Sequence, residues 1–389
     1  MQDSFLCVKF AFIQWIARQN KYEQNHTKTG KSVFNDFAQF AQRRILKREL
    51  TPKYSKGEKM TLIEELTEKA KQSPKRVALP ECEAEKTLLA AREVLDKGIG
   101  TPVLVNDPAV IEETAKKAGV SLEGMEIVDI TDEAKRQEVI EKYLEEPRML
   151  SEKACNRRMK KPMYYAMILE AAGYVDCTFC GHTNTTGDVL MCAMDCIGMQ
   201  EGVDVPSILA IVETPGFEGP EGNRIVFADC GLNPEPGAEE LASIAIASAD
   251  NTKALMGWEP RTAFLSFSTC GSGTAASVDK ILEALKIAKE RRPDLKIDGE
   301  FQLDTAIDPA VAAKKLDRPS DVAGKANVLI FPELNAANIA VKLVQRFAHG
   351  SAYGHTLSGF AKPVADSSRG ATVEEIVGDI AMLVLAAGN

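Results

Sequence analysis

No run of about 18 or more apolar residues occurs, which excludes a membrane-spanning helix. Positive charge is not in surplus: 47 Lys/Arg stand against 56 Asp/Glu, a net −9 with a pI near 5.3. That balance argues against a nucleic-acid-binding surface. P-loop, H-E-x-x-H and G-x-S-x-G patterns are all missing, so the commonest phosphate-cradling, zinc-protease and serine-hydrolase signatures do not apply. No secretory signal accompanies the nine cysteines. The expectation is therefore reduced thiols in a cytoplasmic chain and no disulfide framework. Internal repeats and low-complexity tracts are also absent.

What is present is ordinary globular composition, 45% hydrophobic and 26% charged. A length of 389 residues suggests two domains. The charge is uneven: residues 1–59 carry 12 Lys/Arg and 5 Asp/Glu, leaving residues 60–389 a net charge of −16. The first segment is rich in Gln, Asn, Lys and aromatics, unlike the Ala/Val/Leu/Gly-rich remainder. At Met60 the text becomes MTLIEELTEKAKQSPKRVALPE: an amphipathic helix, a Ser-Pro break and a strand. Residues 1–59 read as an extension of uncertain reality, with Met60 as the expected native start. Asp3 and the lack of a cleavable apolar core weigh against a targeting peptide.

From residue 75 short apolar runs alternate with amphipathic helices, the pattern of an α/β fold with a largely parallel sheet. Strands are expected at Arg76–Leu79, Pro102–Val105, Asp176–Phe179, Ser207–Val212, Ile225–Ala228, Ala263–Phe267 and Val328–Phe331. Helices are expected at Glu83–Lys97, Pro162–Ala171, Ala238–Ala249, Ser277–Arg291, Ala336–Ala348 and Val373–Ala386.

Three stretches carry candidate chemistry. Leu265–Ala276 (LSFSTCGSGTAA) runs from a strand through Gly271-Ser272-Gly273 into a helix, a turn whose N–H groups favour an anion. A dinucleotide site would want an acid about 20 residues on, where ERRPDLKIDGE lies instead, so a phosphate-friendly turn or plain cap is the better reading. Ala365–Ile376 (ADSSRGATVEEI) sets Ser367, Ser368 and Arg369 before a helix start, suited to a phosphate or a developing oxyanion. Thr372-x-x-Glu375 is also a capping box, so Glu375 has a purely structural reading. Tyr174–Cys196 (YVDCTFCGHTNTTGDVLMCAMDC) holds four cysteines as C-x2-C-x11-C-x3-C. A strand would point Cys177 and Cys180 to opposite faces, a poor zinc knuckle, and buried thiols are the ordinary account. No metal ligand set is assigned.

Longer matches bring these stretches together. VALPECEAEKTLLAA, IVFADCGLNPEPGAEELASIAIASA, RRPDLKIDGEFQLDTAI, VAGKANVLIFPELNAANIAVKLVQRFAHGSAYG and GFAKPVADSSRG resemble, in order over residues 60–389, the phosphate acetyltransferase/phosphate butyryltransferase family. The resemblance implies acyl transfer between coenzyme A and phosphate, with coenzyme A as co-substrate and no bound cofactor. Partners would be acyl-CoA, phosphate and acyl phosphate. It implies catalytic roles for Ser368, Arg369 and Glu375: oxyanion and phosphate binding for the first two, thiol deprotonation for the last. It further implies substrate contacts at Arg148, Thr185, Thr186, Thr269, Ser272, Arg346, Tyr353 and Gly354. The implied fold is that of the isocitrate/isopropylmalate dehydrogenase-like group, two α/β/α domains around a cleft, usually a homodimer. Domain 1 would be residues 60–202 plus 358–389, and domain 2 residues 203–357.

The chain departs from the family pattern at charged positions. A family His becomes Asn184, a substrate-binding Arg becomes Met191, and the Lys of Ser-Thr-Lys-Gly-Ser becomes Cys270. A charged hydrogen bond is worth roughly 1.5–3 kcal/mol, one to two decades in affinity. Three expectations follow: an acetyltransferase with compensating cations such as Arg157, Arg158 or Lys160; a propionyl or butyryl enzyme with a more apolar pocket; or a coenzyme A-binding module with little turnover.

Overall fold

The computed structural model describes residues 60–354 and 356–388; the expectation of an N-terminal extension over 1–59 lies outside them. Thirteen strands form two mixed sheets among the described residues. In chain order they are β1 (Lys75–Leu79), β2 (Gly100–Asn106), β3 (Glu126–Asp129), β4 (Cys177–Cys180), β5 (Ser207–Ile208), β6 (Ala210–Glu213), β7 (Arg224–Ala228), β8 (Arg261–Leu265), β9 (Lys296–Phe301), β10 (Val328–Ile330), β11 (Ser351–Tyr353), β12 (Thr356–Ser358) and β13 (Val364–Asp366). One sheet runs β3-β2-β1-β4-β13-β12-β5, the other β11-β6-β7-β10-β8-β9. The pairs β1–β2, β1–β4, β4–β13, β7–β10, β10–β8 and β8–β9 are parallel.

Each sheet is covered on both faces, and strand alternation assigns the side chains. In the first sheet Val77, Leu79, Leu104, Cys177, Phe179 and Ala365 face one core, where helices Glu85–Asp96 and Val373–Ala386 pack. Ala78, Val103, Val105, Cys180 and Val364 face the other, against helices Glu133–Tyr143, Pro162–Ala171 and Thr186–Cys196. In the second sheet Ile211, Val226, Ala228, Phe264, Val328 and Ile330 meet helices Ala238–Met256 and Ala276–Arg291. Val212, Ile225, Phe227, Ala263, Leu265 and Leu329 meet helix Leu334–Phe347 on the other face. Met382, on the C-terminal helix, packs into the second sheet's core while its neighbours Ala381 and Leu383 pack into the first.

The stretch Ser207–Val212 is not one strand. Ser207–Ile208 pairs with β12 in the first sheet, and Ala210–Glu213 pairs with β7 in the second. The chain returns between Tyr353, paired with Ile211, and Thr356, paired with Ala365. At this double crossing a Cβ on Gly354 would lie 2.3 Å from the Leu209 carbonyl oxygen, and its φ is +144°. Only glycine is tolerated where the backbones pass so closely. The registers put both crossings at the carboxyl ends of β7 and β13, so the carboxyl edges of the two sheets face each other.

ERRPDLKIDGE also differs from expectation, because Lys296–Phe301 is a strand. Asp298 and Gly299 speak against a strand locally, but tertiary partners override that preference. Buried Asp298 accepts from both Arg318 terminal nitrogens at 2.8 Å and from the Ser320 hydroxyl at 2.6 Å.

Candidate active site

The parallel pair β4–β13 builds the site. Asp366 registers with Cys180, and the Ser367 N–H continues the ladder to the Cys180 carbonyl at 2.8 Å. Two loops thereby leave the sheet side by side: 181–185 and 367–372. Gly181, with φ +93°, is required there, since a Cβ would fall 2.1 Å from Asp366 Oδ1. Ser367 is buried, and its hydroxyl has no partner among the described residues. Ser368, Arg369 and Gly370 are exposed. The Ala371 N–H donates to the Ser368 carbonyl at 2.9 Å, closing a turn, and Lys86 Nζ donates to the Ala371 carbonyl at 2.8 Å. Arg369 makes no hydrogen bond or ion pair among the described residues.

Glu375 stands in the first turn of helix Val373–Ala386. Its Oε2 accepts from the Thr372 N–H at 2.8 Å and the Thr372 hydroxyl at 3.0 Å, and its own N–H donates to that hydroxyl. The capping box is therefore formed. It also fixes an exposed carboxylate six residues after Arg369, at the positive end of a helix.

The neighbouring loop is held by a residue the sequence did not single out. Glu81, just past the carboxyl end of β1, is buried, and its carboxylate accepts five N–H groups. The donors are the amides of Gly181 (3.2 Å), His182 (2.7 Å), Thr183 (3.1 Å) and Asn184 (2.9 Å), with Asn184 Nδ2 at 2.7 Å. Asn184, where the family pattern has His, thus points into the protein. The only sequence signal was an acid directly after a buried strand. Thr185 caps helix Thr186–Cys196 in a second capping box with Asp188. The Thr185 hydroxyl and N–H hold the Asp188 carboxyl below its usual range, with smaller contributions from the Lys161 ammonium and the Arg369 guanidinium. Met191 lies three residues on, 57% exposed.

Across the crossing, Thr269 and Ser272 lie in the loop beyond β8 at the second sheet's carboxyl edge. Both hydroxyls serve the loop itself: Thr269 Oγ1 accepts from the Gln302 N–H (2.8 Å), Ser272 Oγ from the Thr269 N–H (2.9 Å). The Gly-Ser-Gly turn is likewise closed to an outside anion. The Gly271 N–H donates to Glu300 Oε1 at 2.8 Å and the Gly273 N–H to Ser268 Oγ at 3.0 Å. Tyr353 and Gly354 reach the same edge through the crossing. Arg148 and Arg346 are not brought there. Arg148 donates to the Tyr143 and Ala171 carbonyls at the C-terminal ends of two helices, the Ala171 helix leading into the start of β4. Arg346 sits in the last turn of helix Leu334–Phe347, which begins at the carboxyl edge and ends away from it.

The four cysteines of Tyr174–Cys196 are packing residues. Cys177 and Cys180 face opposite cores, and Cys192 and Cys196 are buried in the second of these. Burial pushes the Cys177, Cys180 and Cys192 thiols well up. Among the described residues no group of three or more His, Cys, Asp or Glu side chains is disposed to hold a metal ion. No described helix is long and apolar enough to cross a membrane.

The site is thus an exposed Ser-Arg-Gly loop and a helix-borne carboxylate at the carboxyl edge of a mixed α/β sheet, where open α/β folds place ligands. Residues 61–384 match the family model described as phosphate acetyl/butaryl transferase. The phosphate acetyltransferase of Clostridium acetobutylicum is 41% identical over 331 residues, covering 84% of this chain and 99% of that one. That of Thermoanaerobacterium thermosaccharolyticum is 40% identical over 328 residues, covering 83% and 98%. Among solved structures, the EutD phosphotransacetylase from Staphylococcus aureus superposes with a TM-score of 0.75 at 30% identity, covering 84% of this chain and 98% of that one. The chain belongs to the phosphate acetyl/butaryl transferase family and is an acyltransferase.

Proposed function

We propose that the chain reversibly transfers an acetyl group between coenzyme A and inorganic phosphate, by direct attack of the coenzyme A thiolate on the acyl phosphate carbonyl in a ternary complex. The observation that carries this is the uncommitted Arg369 beside Ser368, at the edge where Glu375 is also fixed. A thiol with a pKa near 8.5 is a poor nucleophile until deprotonated. Glu375 accepts the thiol proton as the sulfur–carbon bond forms. Arg369 and the Ser368 hydroxyl meet the negative charge growing on the carbonyl oxygen. Collapse breaks the carbon–oxygen bond to phosphate, which leaves as the anion that Arg369 stabilises. No covalent enzyme intermediate is required.

A longer acyl chain is the second reading, favoured by the exposure of Met191, one turn beyond Asp188 on helix Thr186–Cys196. Following thioester absorbance with acetyl, propionyl and butyryl phosphate in turn separates the two. Turnover with none of them leaves only the coenzyme A-binding module.

The domain division at 60–202 plus 358–389 and 203–357 is supported by the change of sheet between Ile208 and Ala210 and between Tyr353 and Thr356. A homodimer is supported by Ile339, Leu343 and Phe347, exposed at four-residue spacing along one helix face. Phe347→Glu is expected to shift the mass by light scattering from dimer to monomer; an unchanged mass refutes that face as the interface.

A further inference from the structure

The loops around the site leave few groups to bind a phosphate. The backbone amides of 181–184 are taken by Glu81, and those of Gly271 and Gly273 by Glu300 and Ser268. Arg158, a candidate to compensate for Met191, is itself committed. It pairs with Asp195 and lies over the Tyr164 ring, 5.1 Å from its centroid. Arg148 caps helices at the other edge.

Lys161 is different. It is the N-cap of helix Pro162–Ala171, which runs into β4, so its helix end lies at the carboxyl edge beside loop 181–185. That helix packs on helix Thr186–Cys196, and Met163, Met167, Val189 and Cys192 share one core. Lys161 is exposed, and its ammonium has no hydrogen bond or ion pair among the described residues. Both Lys161 and Arg369 help to lower the carboxyl of Asp188, in the first turn of helix Thr186–Cys196. Buried, unpartnered Ser367 Oγ lies in the adjoining loop.

We infer that Lys161 is a phosphate-binding residue of this chain, holding with Arg369 the phosphoryl group whose expected arginine has become Met191. The inference rests on the phosphate acyltransferase reading and deepens it. Its charge reaches the ligand from the neighbouring helix, not from the one that carries Met191.

The test measures turnover and, separately, titrates inorganic phosphate into the full chain by calorimetry. Lys161→Gln is expected to raise the phosphate Kd and the KM for phosphate about tenfold, with the coenzyme A KM and the Tm unchanged. Lys161→Arg should restore most of the affinity, and adding Met191→Arg to Lys161→Gln should recover it. Equal phosphate Kd values for wild type and Lys161→Gln overturn the inference, as does a rise in the coenzyme A KM alone or a wild type that binds no phosphate. Absence of turnover in a wild type whose phosphate Kd still depends on Lys161 sinks the acyltransferase reading and leaves the site standing.

Discussion

Glu81→Gln separates loop positioning from chemistry. The carboxylate is 2% exposed and accepts five N–H groups, four on Oε1 and one on Oε2. A glutamine keeps the length but turns one oxygen into a donor. In its better orientation the amide oxygen keeps the four donors at Oε1, now without formal charge, and the amide nitrogen faces the His182 N–H. Charged hydrogen bonds weaken to neutral ones, and one buried donor is left without an acceptor. Together these cost about 3–5 kcal/mol, allowing for five donors sharing one charge. The loop can open without global unfolding, so the loss concentrates in segment 181–184. Amide hydrogen exchange should accelerate there by roughly 10²–10⁴-fold, with amides of β1 and β2 unchanged. Because the loop leads into Thr185 and the helix start that bears Asp188, whose carboxyl Arg369 helps to lower, kcat should fall with it, and Glu81→Asp should recover part. Unchanged exchange at Gly181–Asn184 in Glu81→Gln would refute the anchoring role.

Glu375→Gln retains an acceptor for the Thr372 N–H but cannot take a proton, so Tm should stay within about 2 °C while kcat falls roughly 10²–10⁴-fold; full activity removes Glu375 as the base. Glu170 is fully buried, its carboxylate oxygens lack a hydrogen-bond partner among the described residues, and burial holds its carboxyl well above the usual range. Its protonated form is favoured in the fold, so the stability it lends is complete below the unfolded value of about 4.3 and is lost as pH rises toward the folded one. Glu170→Gln, neutral at every pH, should match wild type in Tm near pH 4 and exceed it at pH 8. A constant difference across that range would contradict the linkage.

Legibility tracked how local the determinants are. Pro162–Ala171 and Val373–Ala386 were readable to the residue, because a proline at the first helical position and a Thr-x-x-Glu box mark helix starts locally. The Ser-Arg-Gly loop was readable for a similar reason: its residues are adjacent in sequence. Glu81 was not, since it holds amides about 100 residues downstream. The break at Leu209 was invisible too. An unbroken apolar run reads as one strand, and only pairing with β12 on one side and β7 on the other divides it. β9 was missed because Asp298 looks exposed until Arg318 and Ser320 arrive from 20 residues on. The family resemblance supplied Arg148 and Arg346 as substrate contacts; helix direction carries both away from the carboxyl edges.

Three buried acids organise those edges in the same way. Glu81 follows β1, Asp229 follows β7 and Glu300 lies near the end of β9. Asp229 gathers the amides of Ile208, Gly231, Leu232 and Asn233, so it ties the crossing strand β5 to the end of β7. A turn rich in converging N–H groups ordinarily invites an external anion. Here each such turn is filled by a carboxylate of the protein. The loops are thus shaped before substrate arrives, and recognition of the substrate's negative charge falls to exposed side chains. This division explains how arginine and lysine can give way to Met191 and Cys270 without loss of the fold. Neither side chain holds a loop: Met191 is exposed on its helix, and the Cys270 backbone N–H, not its thiol, donates to the Glu300 backbone carbonyl. Phosphate affinity can then drift with the surface cations while cleft shape stays fixed, and changes in Lys161 should move KM where changes in Glu81 move kcat.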